Sequence, residues 1–218
     1  NKMHLWDDTK GYLQIPYKKY AYVKNRNGQH ISLYGDRLKR VTGFDKDDPT
    51  LHESDIPPMT RFLVDQYTDS DESSTGHRVM FFDIEVEVTE GFPDVQKAYN
   101  PITSIALYDC ITEKYFTYCF DPHKRIESYE KDNEVVEFYE TEYEMLNQFF
   151  QKYLEIRPTI ISGWNSEFFD IPYLYNRAVR ILGPELANLL SPISQVIYSE
   201  YKKKHTIAGV SSLDYLQL

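Results

Sequence analysis

Val79-Met80-Phe81-Phe82-Asp83-Ile84-Glu85-Val86-Glu87-Val88 is the stretch that decides the fold of this 218-residue chain. Side chains alternate across a β-strand, so Met80, Phe82, Ile84, Val86 and Val88 share one face and Val79, Phe81, Asp83, Glu85 and Glu87 share the other. The first face is apolar throughout. The second begins apolar and turns acidic, the pattern of a central strand buried at its start and open to a polar cleft at its carboxyl end. Carboxylates at i and i+2 stand roughly 7 Å apart at their Cα atoms, close enough for the side chains to converge on a hard cation. A strand that simply reaches water gives the same pattern, so Asp83 and Glu85 need a third group at the same rim to define a site.

The residues that follow supply a candidate. Ile102 to Tyr108 and Tyr115 to Phe120 read as antiparallel strands joined through Ile111-Thr112-Glu113-Lys114, and the polar, acidic residues 121–139 as a surface excursion. Thr141-Glu142-Tyr143-Glu144 is a capping box ahead of a helix with Met145, Leu146, Phe149, Phe150 and Tyr153 on one side. Pro158 stops that helix, and Thr159-Ile160-Ile161-Ser162-Gly163 is a short buried strand. In Trp164-Asn165-Ser166-Glu167-Phe168-Phe169-Asp170-Ile171-Pro172, Pro172 fits only near a helix start, which places Asp170 at a helix amino end just past a strand. Asp also caps helices there. Parallel strands present their carboxyl ends together, and that brings Asp170 to the rim of Asp83 and Glu85.

Three carboxylates at one rim suit magnesium or manganese. The six histidines are scattered without zinc-site spacing, and neither a Gly-Lys-Ser/Thr phosphate loop nor a Gly-x-Ser-x-Gly elbow occurs. Carboxylate-bound ions serve phosphoryl chemistry, one activating water and a neighbour about 4 Å away stabilising the leaving oxygen. A net charge of -10 argues against broad attraction to phosphates while leaving room for a local basic groove or metal-mediated contact. No apolar run reaches the roughly 18 residues of a membrane span. Cys110 and Cys119 read as reduced thiols without a role.

Residues 1 to about 68 form a first, mainly β region. Tyr12-Leu13-Gln14-Ile15 and Tyr20-Ala21-Tyr22-Val23 are strand candidates, and Asn27-Gly28 is a turn before Ile31-Ser32-Leu33-Tyr34. Met59 to Tyr67 has helical spacing. Tyr17-Lys18-Lys19-Tyr20 and Arg37-Leu38-Lys39-Arg40 interleave base with aromatic or apolar residues, which fits either single-stranded nucleic acid or a lysine-protected strand edge. Asp69 to Gly76 carries no apolar residue and reads as a linker. Leu213-Asp214-Tyr215-Leu216-Gln217-Leu218 reads as the entry to an apolar-faced helix cut short, so the chain is expected to be a piece of a longer polypeptide.

Phe82-Asp83-Ile84-Glu85 resembles the first exonuclease motif of family B DNA polymerases, and Asn165-Ser166-Glu167-Phe168-Phe169-Asp170 the second. Gly91-Phe92-Pro93-Asp94 and the run from Ser162 to Arg177 are similar to the T-even bacteriophage kind in particular. Glu53-Ser54-Asp55-Ile56-Pro57 with Arg61-Phe62-Leu63-Val64-Asp65 resembles the segment leading into the exonuclease. The resemblance implies an α/β fold: residues 77–218 form a ribonuclease-H-like (DnaQ-type) 3′-5′ exonuclease domain, a mixed sheet flanked by helices. Residues 1–76 would then be part of the amino-terminal domain and linker. It further implies proofreading of single-stranded or frayed primer DNA with Mg²⁺ or Mn²⁺, two ions in the complete site. Asp83 would bridge both ions, Glu85 would bind the ion that activates water, and Asp170 would support the second. Asn165 would help hold the second motif and the terminal nucleotide, and Phe169 would pack the helix or touch DNA.

Val196 to Ile207, with Lys202, Lys203 and Lys204 near its tip, is similar to the β-hairpin these enzymes use in passing a primer between sites, or is a solvated basic loop. The third motif, a Tyr with an Asp a few residues later, is expected beyond residue 218, which would leave the isolated chain a poor exonuclease. Single-stranded 3′ ends, primer-template DNA, a sliding clamp and replisome proteins are the implied partners, in the cytoplasm or an infected host cell. A non-catalytic binding or structural module and a stand-alone RNA exonuclease of the same fold remain as alternatives.

Overall fold

The chain divides into two units, Asn1–Ser74 and Thr75–Leu218, and the computed structural model describes residues 2–7, 11–71, 73, 75–89 and 91–217. In the first unit, strands β1 (Lys2–Asp7) and β2 (Gly11–Pro16) form a hairpin. Strands β3 (Tyr20–Lys24), β4 (His30–Ile31), β5 (Arg37–Thr42) and β6 (Leu51–His52) form an antiparallel sheet in the order β4-β5-β3-β6. Asn27-Gly28 therefore joins two strands that do not pair with each other, because β5 lies between them. The strand expected through Tyr34 ends at Ile31, and Ser32 Oγ accepts the amides of Tyr34 and Asp36 to make a turn instead. Helix α1 (Pro58–Tyr67) is tied to this sheet by Tyr20, whose hydroxyl donates to Asp65. The Tyr20 ring is buried, with Arg40 3.5 Å and Arg61 4.8 Å from its centroid, so its face is closed to a nucleobase.

The second unit is built on a seven-stranded mixed sheet. Its strands are β7 (Val79–Val86), β8 (Ile102–Asp109), β9 (Lys114–Phe120), β10 (Tyr129–Lys131), β11 (Glu134–Tyr139), β12 (Ile160–Gly163) and, beyond the hairpin of β13 (Val196–Ser199) and β14 (Lys204–Ile207), β15 (Ser211–Asp214). They run in the order β10-β11-β9-β8-β7-β12-β15. Residues 121–139 are thus no mere excursion. Val135, Val136, Phe138 and Tyr139 are β-branched or aromatic, and β11 adds to the sheet parallel to β9. Leu213 and Asp214 end a strand parallel to β12 and do not open a helix; a single 3₁₀ turn, Tyr215–Gln217, follows. Leu218 lies outside the described residues.

Helix α2 (Glu142–Ile156) lies against β8, β9 and β11. Half of its capping box is formed: Thr141 Oγ1 accepts the Glu144 amide at 3.2 Å, while the Glu144 carboxylate takes the Thr141 hydroxyl at 2.9 Å. Met145, Leu146, Phe149, Phe150 and Tyr153 are all buried, at about 2 kcal/mol of transfer free energy per large side chain. Helix α3 (Asp170–Ile181) packs on β7, and the short α4 (Pro184–Ala187) packs on α3. Both long helices cover the face of Met80, Phe82 and Ile84. The other face of β7 is open from its start: Phe81 is 44% exposed, against the expectation that its beginning is buried, because neither helix lies on that side.

The connection from β7 to β8 is clamped from the helical side. Arg177 on α3 is buried and forms a two-pronged ion pair with buried Glu142 (Nε to Oε1 2.9 Å, Nη2 to Oε2 2.6 Å). It also donates to the carbonyls of Ala98 and Tyr99, while Glu142 accepts the Ile102 amide. Removing one partner of such a pair leaves the other charge uncompensated. Arg177→Met is expected to destabilise the unit by about 3–5 kcal/mol in urea unfolding. Lys124→Met, which breaks only the exposed pair with Glu140, is expected to leave the midpoint nearly unchanged.

Candidate active site

The site forms where β12 parts from β7. The two strands pair only as far as Ser162 opposite Phe81. At Gly163 the backbone runs so close to Phe82 that a Cβ would stand 2.7 Å from its carbonyl oxygen, a position only glycine fills. Past that point β12 turns away, and the Ile84 amide on that side of β7 has no strand partner. It donates instead to Asp170 Oδ1 at 3.0 Å. Asp170 is the first residue of α3, yet its side chain serves the strand, and no side-chain hydrogen bond caps the helix.

This one bond brings the three carboxylates predicted from sequence to one rim, since Ile84 lies between Asp83 and Glu85. Asp83 and Glu85 are exposed on the open face. Opposite them, the β7–β8 register shifts after Glu85, leaving Thr103 as an extra residue on β8 whose hydroxyl donates to the Glu85 carbonyl at 3.1 Å. Such bulges re-aim side chains beside active sites. Asp170 is 3% exposed. Burial drives its carboxyl upward, the Asp83 and Asp214 charges add to that, and the Ile84 hydrogen bond only partly opposes them, so its pKa is pushed up from 3.8 to about 7.

Among the described residues, no three His, Cys, Asp or Glu side chains stand close enough together to hold a metal ion. The donor chemistry nevertheless fits one. A buried carboxyl driven up by neighbouring negative charge is a group that a cation would hold ionised, and oxygen ligands suit Mg²⁺ or Mn²⁺.

The loop between β12 and α3 is held from outside. Asp214, at the end of β15, is 4% exposed, and its Oδ1 accepts the amides of Asn165 (2.9 Å) and Leu216 (3.0 Å), its Oδ2 that of Glu167 (3.0 Å). Asn165 has φ +58°, and its carbonyl accepts the amides of Phe168 and Phe169. Sequence reasoning gave Asp214 no role, because Leu213 to Leu218 read as the entry to a helix, where a lone Asp is indistinguishable from a residue facing water. Phe169 packs against Tyr173 and against Phe92, ring centroids 5.6 and 5.2 Å away. With Ile84, Glu85, Val86 and Pro93 these two phenylalanines line a cleft of about 410 Å³ beside the carboxylates, and Phe92 is 79% exposed.

The hairpin of β13 and β14 is formed as its sequence suggests. Tyr201, Lys202 and Lys203 are exposed in its turn, where Lys203 pairs with Glu200. Lys204 is turned inward and bound to Glu167 of the loop that leads to Asp170. Next to it, His205 is buried against the rings of Tyr175 and Tyr198.

A mixed sheet with helices on one face and carboxylates at the end of its central strand has the ribonuclease-H-like arrangement. The family profile described as DNA polymerase family B, exonuclease domain, matches residues 59–218, and the chain belongs to that family. It is 34% identical over 170 residues to the DNA-directed DNA polymerase of Escherichia phage RB69 and 32% identical over 164 residues to that of Enterobacteria phage T4. These matches cover 65% and 62% of the chain. A DNA polymerase 1 of Saccharolobus solfataricus is 30% identical over 131 residues, or 60% of the chain. The matched segments span 19%, 18% and 13% of those curated relatives. Exonuclease domains of this family are generally dependent on divalent metal. Among the described residues no helix is long and apolar enough to cross a membrane.

The raised Asp170 carboxyl gives a pH test. Its folded-state pKa lies above its ordinary value, so between about 4 and 7 the folded chain binds the proton more tightly than the unfolded one. Stability therefore falls as pH rises through that window and stays lower above it. In EDTA, Asp170→Asn is expected to unfold at a higher temperature than wild type at pH 8, by a few kcal/mol at most, and to show no such gain at pH 4. Adding Mn²⁺ at pH 8 is expected to raise the wild-type midpoint and leave the variant's unmoved, both read by circular dichroism.

Proposed function

We propose that residues 77–218 belong to the 3′-5′ proofreading exonuclease of a family B DNA polymerase, and that residues 1–76 are part of that polymerase's amino-terminal domain and linker. The observation that carries this reading is the Asp170 carboxylate on the Ile84 amide, between Asp83 and Glu85, in a chain of this family. The substrate is the 3′ end of single-stranded or frayed primer DNA, whose terminal phosphodiester is hydrolysed with the 3′ oxygen as leaving group.

Asp83, Glu85 and Asp170 would hold Mg²⁺ or Mn²⁺, two ions in the complete site, with a further ligand from a third motif outside residues 1–218. Bound there, such ions supply an activated water and neutralise charge on the leaving oxygen. The chain's own residues orient the strand. Phe92 and Phe169 offer the terminal nucleobase an aromatic cleft beside Glu85, a sequence-tolerant way to hold any of the four bases. Asn165 supports the second motif and the terminal nucleotide. Lys202 and Lys203, with Tyr201, reach the phosphate backbone from the hairpin turn, and Lys204 acts beside them by seating the hairpin on Glu167. A sliding clamp and replisome proteins are reached through the parent polymerase, in the cytoplasm or an infected host cell.

Digestion of a 5′-labelled single-stranded DNA with Mg²⁺ or Mn²⁺ tests this in the 218-residue chain and in a longer polypeptide of the same reading frame that carries the third motif. Trimming from the 3′ end is expected in the longer polypeptide, is expected to be feeble in the shorter, and is expected to vanish with Asp83→Ala. Phe92→Ala is expected to raise KM for single strands about tenfold, the size of one lost base stack. A folded longer polypeptide without Asp83-dependent trimming would make this a binding or structural module. Faster cleavage of matched RNA would make it an RNA exonuclease.

A further inference from the structure

We propose that Asp214 is a positioning residue of the metal site, acting on Asp170 through the backbone of the loop between them and touching neither metal nor substrate. The proposal rests on the nuclease reading above. β15 brings Asp214 level with Gly163 in the parallel β12–β15 ladder, at the point where β12 turns away. From there its two oxygens accept three backbone amides, those of Asn165, Glu167 and Leu216, at 2.9–3.0 Å. Both oxygens are engaged and 96% of the side chain's residue surface is covered, with Asp214 only 4% exposed, so it offers no free site for an ion.

The two loop amides belong to the turn that sets the start of α3. The Asn165 carbonyl accepts the amides of Phe168 and Phe169, and the Ser166 carbonyl accepts that of Ile171, one residue past Asp170. Asn165 holds a left-handed backbone, φ +58°, a conformation that Asn tolerates better than most non-glycine residues. Asp214 fixes the amides on either side of Ser166, whose buried side chain adds no hydrogen bond of its own, and so holds the turn in this conformation. A carboxylate can accept from donors on both oxygens. An asparagine would present an NH₂ to one of the same amides. The turn, and with it the reach of Asp170 to Ile84, therefore depends on a carboxylate at position 214.

The test uses the 218-residue chain and Mn²⁺ alone. Calorimetric titration compares wild type, Asp83→Ala and Asp214→Asn, and hydrogen exchange is followed at the Ile84 amide, which Asp214 does not contact. Asp214→Asn is expected to weaken Mn²⁺ binding about tenfold, the lower end of what loss of an outer support of a metal site costs. It is also expected to speed exchange at Ile84 while leaving Ile105 on the neighbouring strand protected. Should that variant not fold, Asp214→Glu keeps both acceptor oxygens one methylene further out and is expected to fold with the same two defects. Unchanged Mn²⁺ affinity and Ile84 protection in a folded Asp214 variant, with binding still lost in Asp83→Ala, would overturn the positioning role alone. Wild-type binding that survives Asp83→Ala would overturn the metal site, and this proposal with it.

Discussion

A backbone amide without a ladder partner governs this structure. β7 is the centre of the sheet, with β8 on one side along its whole length and β12 on the other only as far as Phe81. That ladder stops at Ser162, just before the close approach of Gly163 to Phe82, and a buried amide left unpaired there would cost as much as a lost hydrogen bond. The Asp170 carboxylate satisfies it. The same bond completes the sheet and puts a third acidic group between two others, so fold and site share one solution. Moving α3 by a single turn would both orphan the Ile84 amide and disperse the carboxylates.

That solution is electrostatically costly, and its cost is confined. Burial together with Asp83 and Asp214 pushes the Asp170 carboxyl up to about 7, a perturbation of the kind that gathers where chemistry is done. A few residues away the opposite arrangement holds: Arg177 and Glu142 neutralise each other in the interior and pin the carbonyls of Ala98 and Tyr99. The loop that presents Phe92 thus hangs from a rigid, charge-balanced clamp. The carboxylate rim keeps its charges unbalanced. Mutual attraction fixes the frame, while burial and like charge at the rim disfavour the ionised Asp170.

What the sequence revealed follows from the range over which each signal acts. Period-two alternation around Asp83, the capping box at Thr141 and the Pro172 helix start are local, and each of these elements stands where they put it. β11 was hidden because Glu134 and Glu137 fall on opposite faces of the strand, so its apolar residues show no period of two. Asp214 was hidden for a different reason. Its value lies in three amides, two of them nearly fifty residues away in sequence, and no periodicity within its own strand reports that. Phe92 stood out only through its family context, since an exposed aromatic in a loop has no pattern; the cleft it makes with Phe169 exists only once α3 is packed on β7.

Charge also limits how such a chain can hold a polyanion. With 34 acidic and 24 basic residues it repels phosphate at long range, and the carboxylate rim repels it most strongly at the site itself. On the proposed function, attraction for DNA would come from elements that do not depend on net charge. The aromatic cleft is one, because every base has a face to stack. On the same reading the lysines of the hairpin turn would be another, few and local. A divalent cation would, on the proposed function, be the third, turning the rim from repulsive to attractive for a phosphate placed beside it. Lys204 and Asp214 then have complementary places: one joins the basic hairpin to Glu167, the other fixes the Glu167 amide, and both bear on the six residues that carry Asp170 to the central strand.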